Sequence, residues 1–313
     1  MTRLLISTKP HLLMSPCQNR LIWSMWLLLI NPSSGNGRGR KIGNLVKEEL
    51  QRLGLAFLDV SGDSSIECQD NLKSVLASNE NLEGLFLVGG DGTINIAAQE
   101  LVGSGIGLAL IPAGTGNDFA RTLNLRSKRP GELIRYYLSN EPALVDVGKV
   151  NDRYFVNVLS TGFDSMVNER ANAMRRIKGR AKYNISILLV LSTFKPRNYR
   201  FLIDSRVFQS KAMLIAVSNG ISYGGGMKVT PDAKINDGLF DILILTPISR
   251  FEFLRVFPKV FSGRHTTHPA VQIFRGKNVE IDCDAVAYAD GERVGPLPIK
   301  ASAIEGGLLT WRM

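Results

Sequence analysis

Along the first part of the chain, short apolar runs alternate with amphipathic stretches. The runs are WLLLI (26–30), LAFLDV (55–60), LEGLFLV (82–88) and IGLALIP (106–112), each closed by Gly, Asn or Pro. That is the pattern of short buried strands. Between them, residues 40–53 set Ile42, Leu45, Val46, Leu50 and Leu53 at helical spacing, and 66–77 and 94–102 are similar. This alternation predicts a parallel sheet covered by helices. Ligands of such sheets sit at the carboxyl ends of the strands, in the loops that follow.

Near Leu144 the texture changes. VDVGKVNDRYFVNVLSTGF, YRFLIDSRVFQSKAMLIAVSN, GLFDILILTP, HPAVQIFRG, KNVEIDCDAVAYADGE and LLTWRM are β-type segments. Asn151-Asp152, Asn236-Asp237-Gly238 and Asp290-Gly291 are turn candidates between them. Helical interruptions are expected at 168–195 and 249–261. The fold class expected is therefore an N-terminal parallel α/β domain over 25–143 and a C-terminal antiparallel β-sandwich domain over 144–313. The chain from about 299 on is expected to return to the first domain.

The amino terminus is unlike either half. Before Met25 it holds Arg3, Lys9 and Arg20, no acid, and no clean period. The apolar stretch Leu21–Ile30 has ten residues, against about 20 needed to span a bilayer, and lacks a small-residue cleavage site. Residues 1–24 are therefore expected to be a disordered extension or the product of an upstream start, with the domain beginning near Met25.

Composition narrows the classes. With 44% hydrophobic and 21% charged residues in 313, disorder, collagen and coiled coil are excluded. Cys17, Cys68 and Cys283 are three, far apart and outside any CxxC pattern. A disulfide scaffold and a structural zinc site are disfavoured, and a reducing cytosol is expected. The excess of 38 Lys+Arg over 28 Asp+Glu, a net +10, points to an anionic partner. No nucleic-acid recognition motif or aromatic RNA platform is visible, so nucleic acid is not expected.

The chemistry concentrates at three of these strand ends. Val88-Gly89-Gly90-Asp91-Gly92-Thr93-Ile94-Asn95 follows a strand and opens a helix. Its glycines let the backbone approach a polyphosphate, and the helix start offers free N–H groups. Asp91 does not favour phosphate directly; it suits a bound Mg²⁺ or a role in holding neighbouring groups. Pro112-Ala113-Gly114-Thr115-Gly116-Asn117-Asp118-Phe119-Ala120-Arg121 repeats this logic, and Asn31-Pro32-Ser33-Ser34-Gly35-Asn36-Gly37-Arg38-Gly39 is the third. A Walker P-loop and a GxGxxG dinucleotide fingerprint are both lacking.

GGDGTIN, the preceding NPSSGNGRG and the following PAGTGNDFAR resemble the diacylglycerol kinase catalytic-domain family, specifically its soluble bacterial lipid kinases, relatives of the sphingosine and ceramide kinases. GGDGT alone is shared with NAD kinases; the GTGNDFAR element makes the match specific. Val145-Asp146-Val147-Gly148, the Pro231–Leu239 turn and Asp290-Gly291-Glu292 resemble later family segments. The resemblance covers nearly all of 27–313. It implies ATP- and Mg²⁺-dependent phosphorylation of a lipid hydroxyl, with diacylglycerol as the default acceptor and phosphatidylglycerol or a sphingoid base as alternatives. It further implies ATP in the α/β domain, lipid entering from the β domain, a homodimer, and a cytoplasmic protein peripheral to the inner face of the membrane.

The same resemblance assigns residues. ATP would be held by Asn31, Pro32, Ser33, Ser34, Gly35, Gly89, Gly90, Asp91, Gly92, Thr93, Asn95, Gly114, Thr115, Asn117 and Asp118. Asp237 would bind Mg²⁺ with the backbone carbonyls of Lys234 and Leu239, and Asp290, Glu292 and Asp91 would form the catalytic set. Asp290 and Glu292, two apart, would share one side if extended; either could accept the hydroxyl proton. An NAD kinase and a nucleotide-responsive regulator without catalysis are the competing functions. Arg170, Arg175, Arg176, Lys178, Arg180 and Lys182 form a basic run suited to anionic head groups, followed by apolar 185–191. His265 and His268 lack a third metal ligand nearby and are expected to be structural.

Overall fold

The computed structural model describes residues 25–78, 81–125, 128–174 and 180–313. The readings of 1–24 and of Arg175, Arg176 and Lys178 lie outside the described residues. Two compact units emerge: one runs to Val145 and takes back Gly307–Met313, and the other is Asp146–Gly306.

The first unit alternates strand and helix: β1 (Met25–Ile30), α1 (Ser34–Arg52), β2 (Phe57–Asp59), α2 (Ser65–Ser78), β3 (Leu82–Gly89), α3 (Asp91–Leu101), β4 (Gly107–Pro112), α4 (Asp118–Thr122) and α5 (Pro130–Ser139). The strands pair in parallel in the order β2-β1-β3-β4, with Leu27 opposite Leu85 and Leu85 opposite Leu108. Leu27, Leu28, Leu29, Phe86, Leu87 and Leu110 are fully buried, as continuous apolar strands covered on both faces must be. The buried line of α1 is Gly39, Gly43, Val46 and Leu50. Leu45, placed on the inner face by spacing, is 56% exposed; the true stripe runs through small glycines, with Gly43 pressed on Ile30. The short α5 carries no counterpart in the sequence reading, although Pro130 opens it and Glu132 caps it. Thr310 pairs with Leu108, and the Trp311 indole donates to the Asn140 carbonyl at 2.6 Å. The Trp311 ring lies 6.1 Å from that of Trp26.

The second unit is antiparallel: β5 (Ala143–Val150), β6 (Arg153–Phe155), β7 (Val158–Gly162), α6 (Phe163–Ala173), α7 (Arg180–Thr193), β8 (Arg197–Ile203), β9 (Arg206–Ala212), β10 (Leu214–Ser218), β11 (Phe240–Leu245), α8 (Arg250–Val256), β12 (Val271–Gly276), β13 (Asn278–Asp282), β14 (Val286–Ala289), β15 (Glu292–Pro296) and β16 (Ile299–Thr310). One sheet has the order β12-β11-β10-β7-β14-β15; in the other, β16, β13, β8 and β9 are successive neighbours. Phe155, Leu159, Phe201, Ile215, Phe240, Val279 and Ile281 form the core that the alternating strands bury between the sheets. Phe163, Val190, Leu191, Phe194 and Phe253 form a further buried cluster where α6, α7 and α8 cover the outer face of the six-stranded sheet. Among the described residues, no helix is long and apolar enough to cross a membrane.

Candidate functional site

The three glycine-rich loops of the first unit interlock. β1 is followed by Asn31, whose side-chain amide donates to Thr93 Oγ1 at 2.9 Å, and whose Oδ1 accepts from Ser33 Oγ at 2.8 Å. Gly35, Asn36 and Gly37 then take left-handed backbone with φ of 59, 59 and 88°, so the regular turns of α1 begin after them. A Cβ on Gly35 would lie 2.2 Å from the Ala113 carbonyl oxygen; that near approach requires glycine. Arg38, given no role of its own from sequence, donates to the carbonyls of Ala113 and Gly114 and so ties the first loop to the third. The second and third loops touch backbone to backbone: a Cβ on Gly114 would stand 2.6 Å from Gly90 Cα, and the Ala113 N–H donates to the Gly89 carbonyl at 2.7 Å.

Asp91 closes this arrangement. Its Oδ1 accepts from the backbone N–H of Asp118 at 2.8 Å and of Phe119 at 3.1 Å, capping the start of α4 from another loop. Burial raises its pKa first and the charge of Asp118 adds to this, while the two N–H donors act in the other direction. Asp118 is itself buried and paired with Arg121. Of the two roles the sequence left open for Asp91, its hydrogen bonds show it holding neighbouring groups. Asn117 is left-handed at φ 52°. Its amide donates to the Gly114 carbonyl at 2.9 Å, and its Oδ1 is buried with no partner among the described residues.

What these loops leave free suits phosphate. No side chain caps α3, whose N-cap is Gly90, and there is open space beyond the Cα of Gly37 and of Gly92. Pro32, Ser33, Gly92 and Thr115 are exposed at the loop tips, whereas Gly114, Thr93, Asn95, Asn117 and Asp118 are buried beneath them. A helix start capped by glycine, beside exposed glycine backbone, offers the dipole and N–H donors that suit an anion.

In the second unit, Asp290 and Gly291 are the turn between β14 and β15, both left-handed with φ of 49 and 87°, and Ala289 pairs with Glu292. The expected sharing of one strand face by Asp290 and Glu292 therefore does not hold: the turn intervenes. Asp290 accepts from three successive N–H groups, Val156 at 2.7 Å, Asn157 at 3.0 Å and Val158 at 3.1 Å. Its carboxylate fastens the chain entering β7. Glu292 is exposed.

Asp237 lies in the turn before β11. Its Oδ1 accepts the Leu239 N–H at 3.2 Å and its Oδ2 pairs with Arg275. Asp241, missed from sequence, stands opposite Arg275 across β11 and β12. Burial raises its pKa, and Asp237 and Asp232 add to the rise against Arg275 and Lys234. Asp241 Oδ2 is buried with no partner among the described residues. No group of three or more His, Cys, Asp or Glu is placed to hold a metal among the described residues. At the expected cation site, the unpartnered Asp241 Oδ2 and the neighbouring Asp237 carboxylate are the oxygen donors a hard cation takes, and Arg275 already balances part of their charge.

A buried relay joins the two turns. Asp146 accepts from Gly238 N at 2.7 Å and Gly306 N at 2.9 Å, and its own N–H donates to the Ile235 carbonyl at 2.6 Å. The Asn219 amide donates to the Asp146 and Val156 carbonyls, both at 2.9 Å. The Asp146 segment was visible as a motif; Asn219 gave no signal, because its partners are 73 and 63 residues away. His265 holds the Val229 carbonyl at 3.0 Å and His268 meets Glu252 at 3.2 Å, so both serve the fold.

Residues 25–150 match the diacylglycerol kinase catalytic domain, and residues 157–310 match the YegS C-terminal NAD kinase beta sandwich-like domain. Over 291 residues the chain is 35% identical to a diacylglycerol kinase of Mycobacterium tuberculosis, covering 91% of this chain and 94% of that one. The chain belongs to the diacylglycerol kinase family. The kinase is also 31% identical to a diacylglycerol kinase of Staphylococcus aureus over 282 residues, 87% of each chain. A crystal structure of a diacylglycerol kinase from Bacillus anthracis str. Sterne superimposes with a TM-score of 0.71 at 19% identity, covering 93% of the kinase and 97% of that chain, which establishes the likeness of fold.

Proposed function

We propose that the kinase transfers the γ-phosphoryl group of ATP to the free hydroxyl of diacylglycerol, giving phosphatidic acid and ADP. The interlocked loops of Gly35, Gly90 and Gly114 carry this reading: they form a rigid backbone cradle beside the glycine-capped start of α3. Phosphoryl transfer needs little covalent help from the protein and much positioning. The hydroxyl oxygen forms a bond to the γ-phosphorus as the bond to the β–γ bridging oxygen breaks and ADP leaves. The hydroxyl proton goes to a carboxylate. Glu292 is the better base, because Asp290 already accepts three backbone hydrogen bonds and Glu292 is exposed. Asp91, Asp146 and Asp290 then position the loops. Mg²⁺, held through Asp237 and Asp241, would supply charge neutralisation.

ATP labelled in the γ-phosphate, offered with dispersed diacylglycerol, phosphatidylglycerol, a sphingoid base and NAD, tests the assignment. Labelled phosphatidic acid is the expected product. Transfer to another lipid alone would correct the acceptor, and transfer to NAD alone would overturn the reading.

A further inference from the structure

The second unit carries a surface segment that the proposed reaction does not use. Ser249 caps α8 by accepting from the Glu252 N–H at 3.2 Å. Phe253 and Val256 turn inward, and Phe253 joins the buried cluster under the helices. Phe251 and Leu254, three apart and on one side of the helix, turn outward at 84 and 46% exposure, and Phe261, in the 3₁₀ turn that follows, is 51% exposed. Phe251 is the most exposed large hydrophobic residue among those described. Single exposed apolar residues are ordinary; two phenylalanines and a leucine within one short segment are not.

Their surroundings indicate a partner. Arg250, Arg255, Lys259 and Arg264 are all exposed, and none is within ion-pair distance of a carboxylate among the described residues. The single acid between 249 and 269, Glu252, is engaged by His268. Outward aromatic rings among unpaired cations, without a free carboxylate, match the boundary between anionic head groups and acyl chains. We propose that α8 and the turn after it dock the kinase on an anionic bilayer surface, Phe251, Leu254 and Phe261 entering the boundary and the four cations meeting lipid phosphates. The proposal rests on the lipid-acceptor reading above and adds the face that meets the membrane.

Flotation of the full chain with phosphatidylcholine vesicles, with or without phosphatidylglycerol, tests it. The pair Phe251→Ser and Leu254→Ser should lower partition into anionic vesicles about tenfold at any salt concentration. The set Arg250→Gln, Arg255→Gln and Lys259→Gln should lower it roughly fivefold per charge at low salt and approach wild type at high salt. Both proteins should keep the wild-type melting temperature and the wild-type rate on a monomeric short-chain diacylglycerol. A Phe251→Trp protein should show a blue-shifted emission on anionic vesicles. Unchanged partition of both variant proteins overturns the proposal. So does a change from dimer to monomer with vesicle binding intact, which would assign the patch to a second copy. Failure of wild type to phosphorylate short-chain diacylglycerol strikes the lipid-acceptor reading instead and leaves the flotation result standing.

Discussion

The glycine loops of the first unit and the acidic turns of the second solve the same problem by different means. In the first, backbone presses on backbone: Gly90 meets Gly114, and Gly35 meets Ala113, leaving no room for a methyl group. In the second, hairpin turns are held by carboxylates reaching across the fold, Asp290 to 156–158 and Asp146 to 238 and 306. The difference teaches which acids are available for chemistry. Asp146 and Asp290 spend both oxygens on N–H groups, and Asp91 spends Oδ1 on two of them, whereas Glu292 is exposed and Asp241 Oδ2 has no partner among the described residues.

The sharpest break in this comparison is a methyl group or an isosteric amide. Glu292→Gln should reduce kcat by about 10²–10⁴-fold with little change in KM, the range for loss of a general base. Asp290→Asn should act differently, lowering the melting temperature by about 5 °C as charge-assisted bonds weaken along with kcat. If Asp290→Asn removed activity with unchanged stability and Glu292→Gln did not, the two roles would be exchanged. Gly114→Ala should next cost about 10²-fold in activity through displaced loops, read as weakened ATP binding by calorimetry while the second unit keeps its fold.

Two smaller effects sharpen the picture. Asp91→Ala leaves the Asp118 and Phe119 N–H groups without their acceptor and should cost about 1–3 kcal/mol of stability, measured by urea unfolding. Asp164, in the first turn of α6, gives an effect no larger than that and a clear sign. Its carboxylate oxygens are covered and receive no hydrogen bond of normal geometry; Ser160, Ser165 and Tyr223 lie near enough only to favour the charge, and burial raises its pKa to about 6. The folded state holds this proton more tightly than the unfolded one, so the group weakens stability as pH rises from about 4 to about 6. Asp164→Asn should remove that loss, at most about 3 kcal/mol, when unfolding at pH 4 and pH 7 is compared.

The parallel strands and the glycine loops were legible because their signals are local: an apolar run, then a glycine cluster, then a helix. α5 was not, since ten residues with one capping pair make a weak pattern. Nor was the start of β16, where IKASAIEGG alternates small and polar residues. At 290–292 two local rules competed, strand spacing and an Asp-Gly turn, and the turn prevailed. The carboxylate clamps were beyond any local rule. Asp290 meets partners 132 to 134 residues away, and Asp146 meets one at 160.

Gly307–Met313 belongs to the first unit, yet follows the whole second unit along the chain. During synthesis, β1 to β4 leave the ribosome well before Thr310 and Trp311 arrive to line the Leu108 edge and the Trp26 side. The first unit of this enzyme therefore stays unfinished until the second has been made, and translation order itself keeps a lone amino-terminal fragment from maturing.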